Sequence, residues 1–182
     1  MSEIIQVRWS GFGGQGVVLA GVLLGEAGVL DGKFVSGSNS YGAQARGSGC
    51  KAEIVFSQGP VDFPHVIDAD ILIAMSQGSY TLHCDDVKER SGIILYDQGQ
   101  VTPKEGLNLR QIGIPATEYA LKKLKNRQVA NIIFLGALIE ATKIVSWEAM
   151  EKAMKIHVNE RFRALNLEAL QLGQELGRQG NG

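Results

Sequence analysis

The most constraining feature of the sequence is a glycine-rich segment, Gly11–Gly16 (GFGGQG), between a predicted strand and a predicted helix. The residues before it, Ile4–Trp9, are rich in β-branched and aromatic side chains, and the apolar run that begins at Val17 predicts a helix to about Leu30. Glycines at such a turn permit positive φ angles and allow a phosphate to approach the amide groups at a helix N-terminus. The segment therefore predicts an α/β fold. The turn either binds a phosphate or is a tight connection between strand and helix that binds no ligand.

The rest of the chain alternates between strand and helix patterns, which is typical of a sheet with helices on both faces. Further strands are predicted at 33–36, 50–57, 71–75, 93–96 and 107–112, and helices at 79–90, 115–124, 129–142, 146–156 and 159–176. The stretch 33–57 contains two strands with no helix between them, so part of the sheet is expected to be antiparallel. We therefore expect a three-layer α/β/α sandwich with a mostly parallel, partly mixed sheet and a helical C-terminal region, forming a single domain over residues 1–182.

One predicted helix is unusual because it is apolar on nearly every side. The run Ile132–Ile139 has no polar face. Such a helix is either buried in its own core or covered by another subunit.

A polar segment after the second predicted strand is the other unusual feature. Gly37–Gly49 predicts a long loop, and its position after a strand brings it to the sheet edge where the glycine turn lies. It offers hydroxyl and amide groups and one cation, Arg46, which can bind a phosphate or a carboxylate through two parallel hydrogen bonds. A solvated surface loop is the alternative, although structureless loops of about a dozen residues are mostly functional or disordered.

Composition excludes several classes of function. The 18 basic and 19 acidic residues provide no general field for nucleic acid or a membrane surface. The two cysteines, Cys50 and Cys84, form no CxxC pair and are too few for a standard iron–sulfur cluster. The basic run 122–127 predicts a solvated helix end. The sequence contains no metal-binding motif and no candidate catalytic side chain. With no signal-peptide pattern and no membrane-length apolar run, we expect a cytoplasmic protein that binds neither nucleic acid nor membrane.

The glycine pattern alone does not establish a dinucleotide site. A Rossmann fingerprint also requires a carboxylate at the end of the second strand, where this chain has Ser36 and Ser38. Asp31 precedes that strand and would lie at the opposite edge of the sheet. This pattern counts against NAD, and a self-contained Rossmann-type nucleotide-binding oxidoreductase is kept as the alternative.

Four ordered motifs give the chain a resemblance to a known family. They are the glycine turn after its strand, the segment Ser40–Gly47, the segment Ala74–Gln77 and the helix Asn131–Leu138. Together they resemble the gamma subunit of 2-oxoacid:ferredoxin oxidoreductases over nearly the whole chain. The polar segment departs from the common family pattern at Ala43, Gln44 and Ser48, and this variant resembles 2-oxoglutarate-type subunits more than pyruvate-type subunits.

The resemblance implies both a function and a set of partners. It implies a complex that decarboxylates a 2-oxoacid, passes electrons to ferredoxin and releases acyl-CoA. The partners would be alpha, beta and ferredoxin-like delta subunits, and these would hold thiamine diphosphate, magnesium and the iron–sulfur clusters. This chain would bind CoA without a catalytic residue or a metal of its own. The binding residues implied are Gly11, Gly13, Gly14, Gln15, Gly16, Ser40, Tyr41 and Arg46.

Overall fold

The computed structural model describes residues 4–42, 49–61 and 63–180. Its centre is a six-stranded sheet with the strand order β2-β3-β1-β4-β5-β6. The strands are β1 (Ile5–Phe12), β2 (Phe34–Tyr41), β3 (Gly49–Ser57), β4 (Ile71–Ala74), β5 (Ile93–Asp97) and β6 (Arg110–Ile114). Strands β1, β4, β5 and β6 run parallel to one another, whereas β3 is antiparallel to both of its neighbours, β1 and β2. The prediction of a mostly parallel, partly mixed sheet is confirmed.

Strand β2 corrects the prediction of a loop that begins at Gly37. All eight of its residues pair with β3, from Phe34 opposite Ser57 to Tyr41 opposite Cys50. Glycine, serine and asparagine are poor strand formers, but a complete ladder with β3 satisfies the backbone on that side. The remaining part of the predicted loop lies mostly outside the described residues.

The helices cover the two faces of the sheet unequally. They are α1 (Val17–Leu30), α2 (Gln77–His83), α3 (Ala116–Lys122), α4 (Ala130–Thr142), α5 (Trp147–His157) and α6 (Glu160–Gln179). Five of them share one apolar core with the side chains of Val7, Trp9 and Ile54. On the other face, the described residues place α2 and the segments around it, packed on Leu72, Ala74 and Ile94. The three-layer arrangement and the helical C-terminal region are as predicted.

Helix α2 is shorter than the predicted helix 79–90. It ends at His83 and continues as one 3-10 turn, Cys84–Asp86. Val87 then forms an isolated parallel bridge with Ala69, to which the Asp86 carbonyl also bonds. Because this bridge requires extended backbone, it ends the helical segment.

Helix α4, which contains the apolar run Ile132–Ile139, is buried in the core of this chain. Its residues from Ala130 to Ile139 are all buried within this chain. Trp9 of the sheet meets Phe134 edge-on, with ring centroids 6.4 Å apart. On the far side, α4 crosses α6 so closely that a Cβ at Gly136 would overlap the carbonyl oxygen of Leu170. The alternative in which another subunit covers this helix is therefore wrong.

Strand directions bring several segments to one edge of the sheet. Strand β2 runs parallel to β1, because each of them is antiparallel to β3. The ends of β1, β2, β4 and β5 therefore share an edge, where open α/β sheets bind their ligands. As predicted, the glycine turn and Tyr41 lie at this same edge.

Candidate functional site

A cleft of about 300 Å³ opens at the end of β1, which we call the glycine cleft. It lies between the glycine turn and the segment that leads into α4. Its lining consists of Phe12, Gly13, Gly14, Gln15, Met75, Thr117, Arg127, Gln128 and Ala130. Three of the predicted binding residues, Gly13, Gly14 and Gln15, are thus brought together in one cavity.

The side chain of Gln15 holds the glycine turn in place. Its Oε1 accepts a hydrogen bond from the Phe12 amide at 2.6 Å, and its Nε2 donates to the Met75 carbonyl at 3.0 Å. The Gln15 amide in turn donates to the Phe12 carbonyl at 3.1 Å. Gln15 therefore fixes the turn against the end of β4 as well as lining the cleft.

The other glycines of the turn differ in what requires them. A Cβ at Gly11 would approach Gln15 Oε1 to 2.5 Å, and a Cβ at Gly16 would overlap the amide of Asn131. These two glycines serve packing. Gly14 has a φ of +95°, and a Cβ there would meet no atom within 4 Å. Only the backbone conformation, or a ligand in the cleft, calls for glycine at this position.

Helix α1 presents an uncapped N-terminus beside the turn. Gly16 is its N-cap residue, in the left-handed conformation, and provides no side-chain hydrogen bond; the first turn also contains no acidic residue. The first amide groups of a helix have no partner within the helix and carry partial positive charge. The buried Asn131 of α4 fixes this end by donating from Nδ2 to the Gly16 carbonyl at 3.0 Å.

Arg127 supplies the permanent positive charge of the cleft. It lies in the 3-10 turn Arg127–Val129 that precedes α4, and it is solvent-exposed. The sequence predicted a solvated face for the whole basic run, but the fold turns this one member toward the glycine turn. No local pattern sets Arg127 apart from the rest of the run, because its approach to the turn depends on the long-range contact between Asn131 and Gly16.

A buried carboxylate at the end of β5 lies behind the wall of the cleft, where it binds Thr117. Asp97 has no exposed surface, and its Oδ2 accepts hydrogen bonds from the Thr117 amide at 3.1 Å and the Thr117 hydroxyl at 2.5 Å. Burial raises the pKa of Asp97, while these bonds and the charge of Arg127 oppose the increase. Asp97 thereby positions Thr117, which lines the cleft; sequence reasoning did not find either residue.

Two further predicted residues line a different cavity at the same edge. Ser40 and Tyr41 border a pocket of about 350 Å³, which we call the β2–β3 pocket. Its lining consists of Ser10, Ser40, Tyr41, Gly42, Gly49, Cys50, Lys51, Leu82 and His83. The remaining predicted residue, Arg46, lies outside the described residues.

The described residues contain neither a membrane-spanning helix nor a cluster of metal-binding side chains. No helix there is both long enough and apolar enough to cross a bilayer. No group of three or more His, Cys, Asp or Glu side chains within 4–42, 49–61 and 63–180 is arranged to hold a metal ion.

Comparison with known proteins gives consistent similarities. The family model described as pyruvate ferredoxin/flavodoxin oxidoreductase matches residues 6–176. A 2-oxoglutarate synthase subunit KorC from Methanocaldococcus jannaschii is 43% identical over 177 residues, which cover 96% of this chain and 94% of that protein.

Solved structures agree with these sequence matches. The gamma subunit of a keto/oxoacid ferredoxin oxidoreductase from Geobacter sulfurreducens has a TM-score of 0.85 and 37% identity, over 96% of this chain and 99% of that one. A 2-oxoglutarate:ferredoxin oxidoreductase from Magnetococcus marinus, solved with 2-oxoglutarate, coenzyme A and succinyl-CoA bound, has a TM-score of 0.88 at 22% identity. This match covers 98% of this chain and 32% of that longer one, and at this identity it supports the fold alone.

Proposed function

Because this chain belongs to the pyruvate ferredoxin/flavodoxin oxidoreductase family, we propose that it binds CoA in the glycine cleft. The chain is a gamma-type subunit of a 2-oxoacid:ferredoxin oxidoreductase. Such a complex needs CoA to release its product as a thioester, and CoA is one of the ligands in the Magnetococcus marinus structure.

The observation that carries the proposal is that Arg127 lines the same cleft as the glycine turn, and the N-terminus of α1 follows that turn directly in the chain. Arg127 supplies a full positive charge in the lining, and the amide groups at the start of α1, which are not themselves in the lining, add partial positive charge beside it. CoA carries three phosphate groups, so the chemistry of the cleft matches its polar part. In this proposal Gly13, Gly14 and Gln15 contact the ligand, while Gly11 and Gly16 keep the turn in shape.

The self-contained Rossmann-type alternative is not supported. Strands β2 and β3 form an antiparallel pair where a Rossmann fold continues with parallel strands. The second strand also ends at Tyr41, with no carboxylate between Phe34 and Tyr41 to hold ribose hydroxyls. We therefore expect CoA, and not NAD, to saturate the cleft.

The chemistry of decarboxylation and electron transfer is assigned to partner subunits. Cys50 and Cys84 are free and buried, and burial raises the pKa of each thiol, so they do not fit a cluster. We propose that residues 1–182 act as one domain in the cytoplasm, beside alpha, beta and ferredoxin-like delta subunits. When bound in those subunits, thiamine diphosphate with magnesium supplies the decarboxylation chemistry and the iron–sulfur clusters accept the electrons.

The substrate proposed is 2-oxoglutarate. The KorC protein of Methanocaldococcus jannaschii, at 43% identity, carries the name of a 2-oxoglutarate synthase subunit. The polar segment of this chain also resembles the 2-oxoglutarate-type pattern. A comparison of turnover with 2-oxoglutarate and with pyruvate in the assembled complex tests this assignment.

Replacing Arg127 by glutamine in the assembled complex tests the CoA site. A charge-assisted hydrogen bond is worth about 1.5–3 kcal/mol, which corresponds to about 10- to 150-fold in affinity. We expect Arg127→Gln to raise the KM for CoA by a factor in this range, with the KM for the 2-oxoacid unchanged. A Gly14→Val variant, which fills the open side of the turn, should raise the same constant.

The matched control comes from the same basic run. Lys122 is exposed, pairs with Glu118 at 2.7 Å and does not line the cleft, so Lys122→Gln removes the same charge elsewhere. If Lys122→Gln and Arg127→Gln change the KM for CoA equally, or if neither changes it by more than about twofold, the proposed site is wrong.

A further inference from the structure

The β2–β3 pocket lies on the sheet face opposite the main helical layer. Alternate residues of a strand point to opposite faces, and Trp9 and Ala52 belong to the core shared with α1 and α4. Ser10 and Lys51, each adjacent to one of them, therefore point the other way, toward α2. Leu82 and His83 of α2 form the facing wall. The pocket and the glycine cleft have no lining residue in common.

Beneath this pocket is a group of charged side chains that are unusually well buried. Arg8 and Glu53 are 5% and 3% exposed, and the Arg8 Nε atom lies 3.1 Å from Glu53 Oε1. Arg8 also donates to the Val66 carbonyl at 2.8 Å and to Asp86 Oδ2 at 3.0 Å. Burial of such ions costs several kcal/mol each unless every charge is held in good geometry. Arg8 and Glu53 do not line the pocket themselves, and Lys51 connects this charged group to it.

Lys51 extends this group into the pocket. Its ammonium lies 2.9 Å from the same Glu53 Oε1 that Arg8 binds, so two cations share one carboxylate oxygen. An ammonium has three donors, and the Lys51 side chain retains 34% exposure. It can therefore bind a second anion without leaving Glu53.

His83 adds a polar group whose bonding is incomplete. Its Nδ1 atom is buried and has no hydrogen-bond partner among the described residues, with Asp86 Oδ2 at 3.5 Å. Burial, together with the positive charges of Arg8 and Lys51, lowers the pKa of His83 and outweighs the opposing effect of Asp86. A neutral imidazole has one donor and one acceptor nitrogen, and the carboxylate that faces its Nδ1 is Asp86.

We propose that the β2–β3 pocket binds the carboxylate group of a small molecule, with Lys51 as its cation and Ser10 and Ser40 as hydrogen-bonding partners. Two hydroxyls and an ammonium in the lining of a pocket of about 350 Å³ suit a compact carboxylate. The ligand is either the 2-oxoacid substrate or a carboxylate that regulates the complex. This site is separate from the glycine cleft. Of the two experiments that test it, the binding measurement is independent of the proposed function, and only the measurement of enzyme turnover rests on it.

Equilibrium dialysis of the assembled complex with radiolabelled succinate tests the proposal. We expect saturable binding by the unmodified complex and an affinity at least about 10-fold weaker in Lys51→Gln. Ser40→Ala, a smaller change at an exposed residue, should weaken binding in the same direction. Lys88→Gln is the matched control, because Lys88 pairs with Asp70 at 2.7 Å with 35% side-chain exposure and does not line the pocket.

Turnover kinetics then distinguish the two sources of the carboxylate. If Lys51→Gln also raises the KM for 2-oxoglutarate, the pocket serves the substrate; if it weakens only succinate binding, the pocket serves a regulator. The absence of saturable succinate binding, or equal affinity in Lys51→Gln, overturns the proposal. The KM for CoA should not change in Lys51→Gln, so failure of this site is distinguishable from failure of the glycine cleft.

Discussion

At the scale of single residues, the buried Arg8–Glu53 pair should dominate the pH dependence of stability. Burial raises the pKa of Glu53, but the hydrogen bonds and charges of Lys51 and Arg8 outweigh it and leave the pKa below its ordinary value. A lowered pKa means that the stabilisation is complete above about pH 4.3, the value of an unfolded Glu, and is lost as the pH falls through the lowered value. Glu53→Gln should therefore reduce the free energy of unfolding by about 3–5 kcal/mol at pH 7, since it leaves a buried cation without its main partner.

Urea unfolding of the purified subunit at pH 7 and pH 3.5 measures this effect. The difference between Glu53→Gln and the unmodified protein should be smaller at pH 3.5 than at pH 7, because below about pH 4.3 the unmodified protein begins to lose the contribution of Glu53. Glu148 is the control, because Lys152 lowers its pKa too but both side chains are exposed. Glu148→Gln should leave the unfolding curve unchanged at pH 7. An equal loss in both variants would show that burial of the pair is unimportant.

Single residues also show how far the sequence could predict the site. Gly14 and Gln15 were found because the glycine pattern is local and lies between a strand and a helix. Arg127 and Thr117 reach the same cleft from more than 100 residues along the chain, and no local pattern distinguishes them from solvated or core positions. Ser40 was predicted at the correct sheet edge. Whether it lies near the glycine cleft depends on the face of β2 that its side chain occupies, and the pairing of β2 with β3 determines that face.

At the scale of elements, the crossing of α4 and α6 should be the least tolerant contact of the fold. Glycines of both helices let the backbones touch, and a Cβ at Gly173 would overlap the carbonyl oxygen of Ile133. Because the obstacle is backbone, no side-chain rotation relieves it. We expect Gly173→Ala to lower the free energy of unfolding by about 1–3 kcal/mol or more, as overpacked cores do.

A glycine inside another helix provides the opposite expectation. A Cβ at Gly25 of α1 would lie 3.6 Å from Val35 Cγ1, an ordinary contact. Gly25→Ala should therefore stabilise the protein by up to about 1 kcal/mol through helix propensity alone. Denaturant midpoints of the two variants measure both effects, and a loss of similar size in each would contradict the packing argument.

Elements with a strong periodicity were predicted well, and those decided by tertiary pairing were not. The apolar strands β4 and β5 and the long helices α5 and α6 lie within a few residues of their predicted positions. Strand β2 was mistaken for a loop beyond Ser36, because its serines and glycine are extended only through the ladder with β3. The end of α2 was missed because the bridge between Ala69 and Val87 that stops it joins distant parts of the chain.

At the scale of the whole molecule, the sheet separates two cavities that open at one edge. The glycine cleft is lined by the glycine turn and the start of α4, and the β2–β3 pocket is built on the opposite face against α2. Effects of mutations at sites with no shared partner usually add to within about 0.3–0.5 kcal/mol, which is about twofold in a binding constant. The two proposed sites should therefore be kinetically independent.

A double variant of the assembled complex, Arg127→Gln with Lys51→Gln, tests this independence. Its KM for CoA should match that of Arg127→Gln, and its affinity for succinate should match that of Lys51→Gln, each to within about twofold. A double variant in which either constant departs by much more would mean that the ligands of the two pockets touch each other, or that the sheet edge rearranges between them. Independence is the expected result because the two cations approach the edge from opposite faces, and β1, which separates them, is paired over its whole length with β3 and from Val7 to Ser10 with β4.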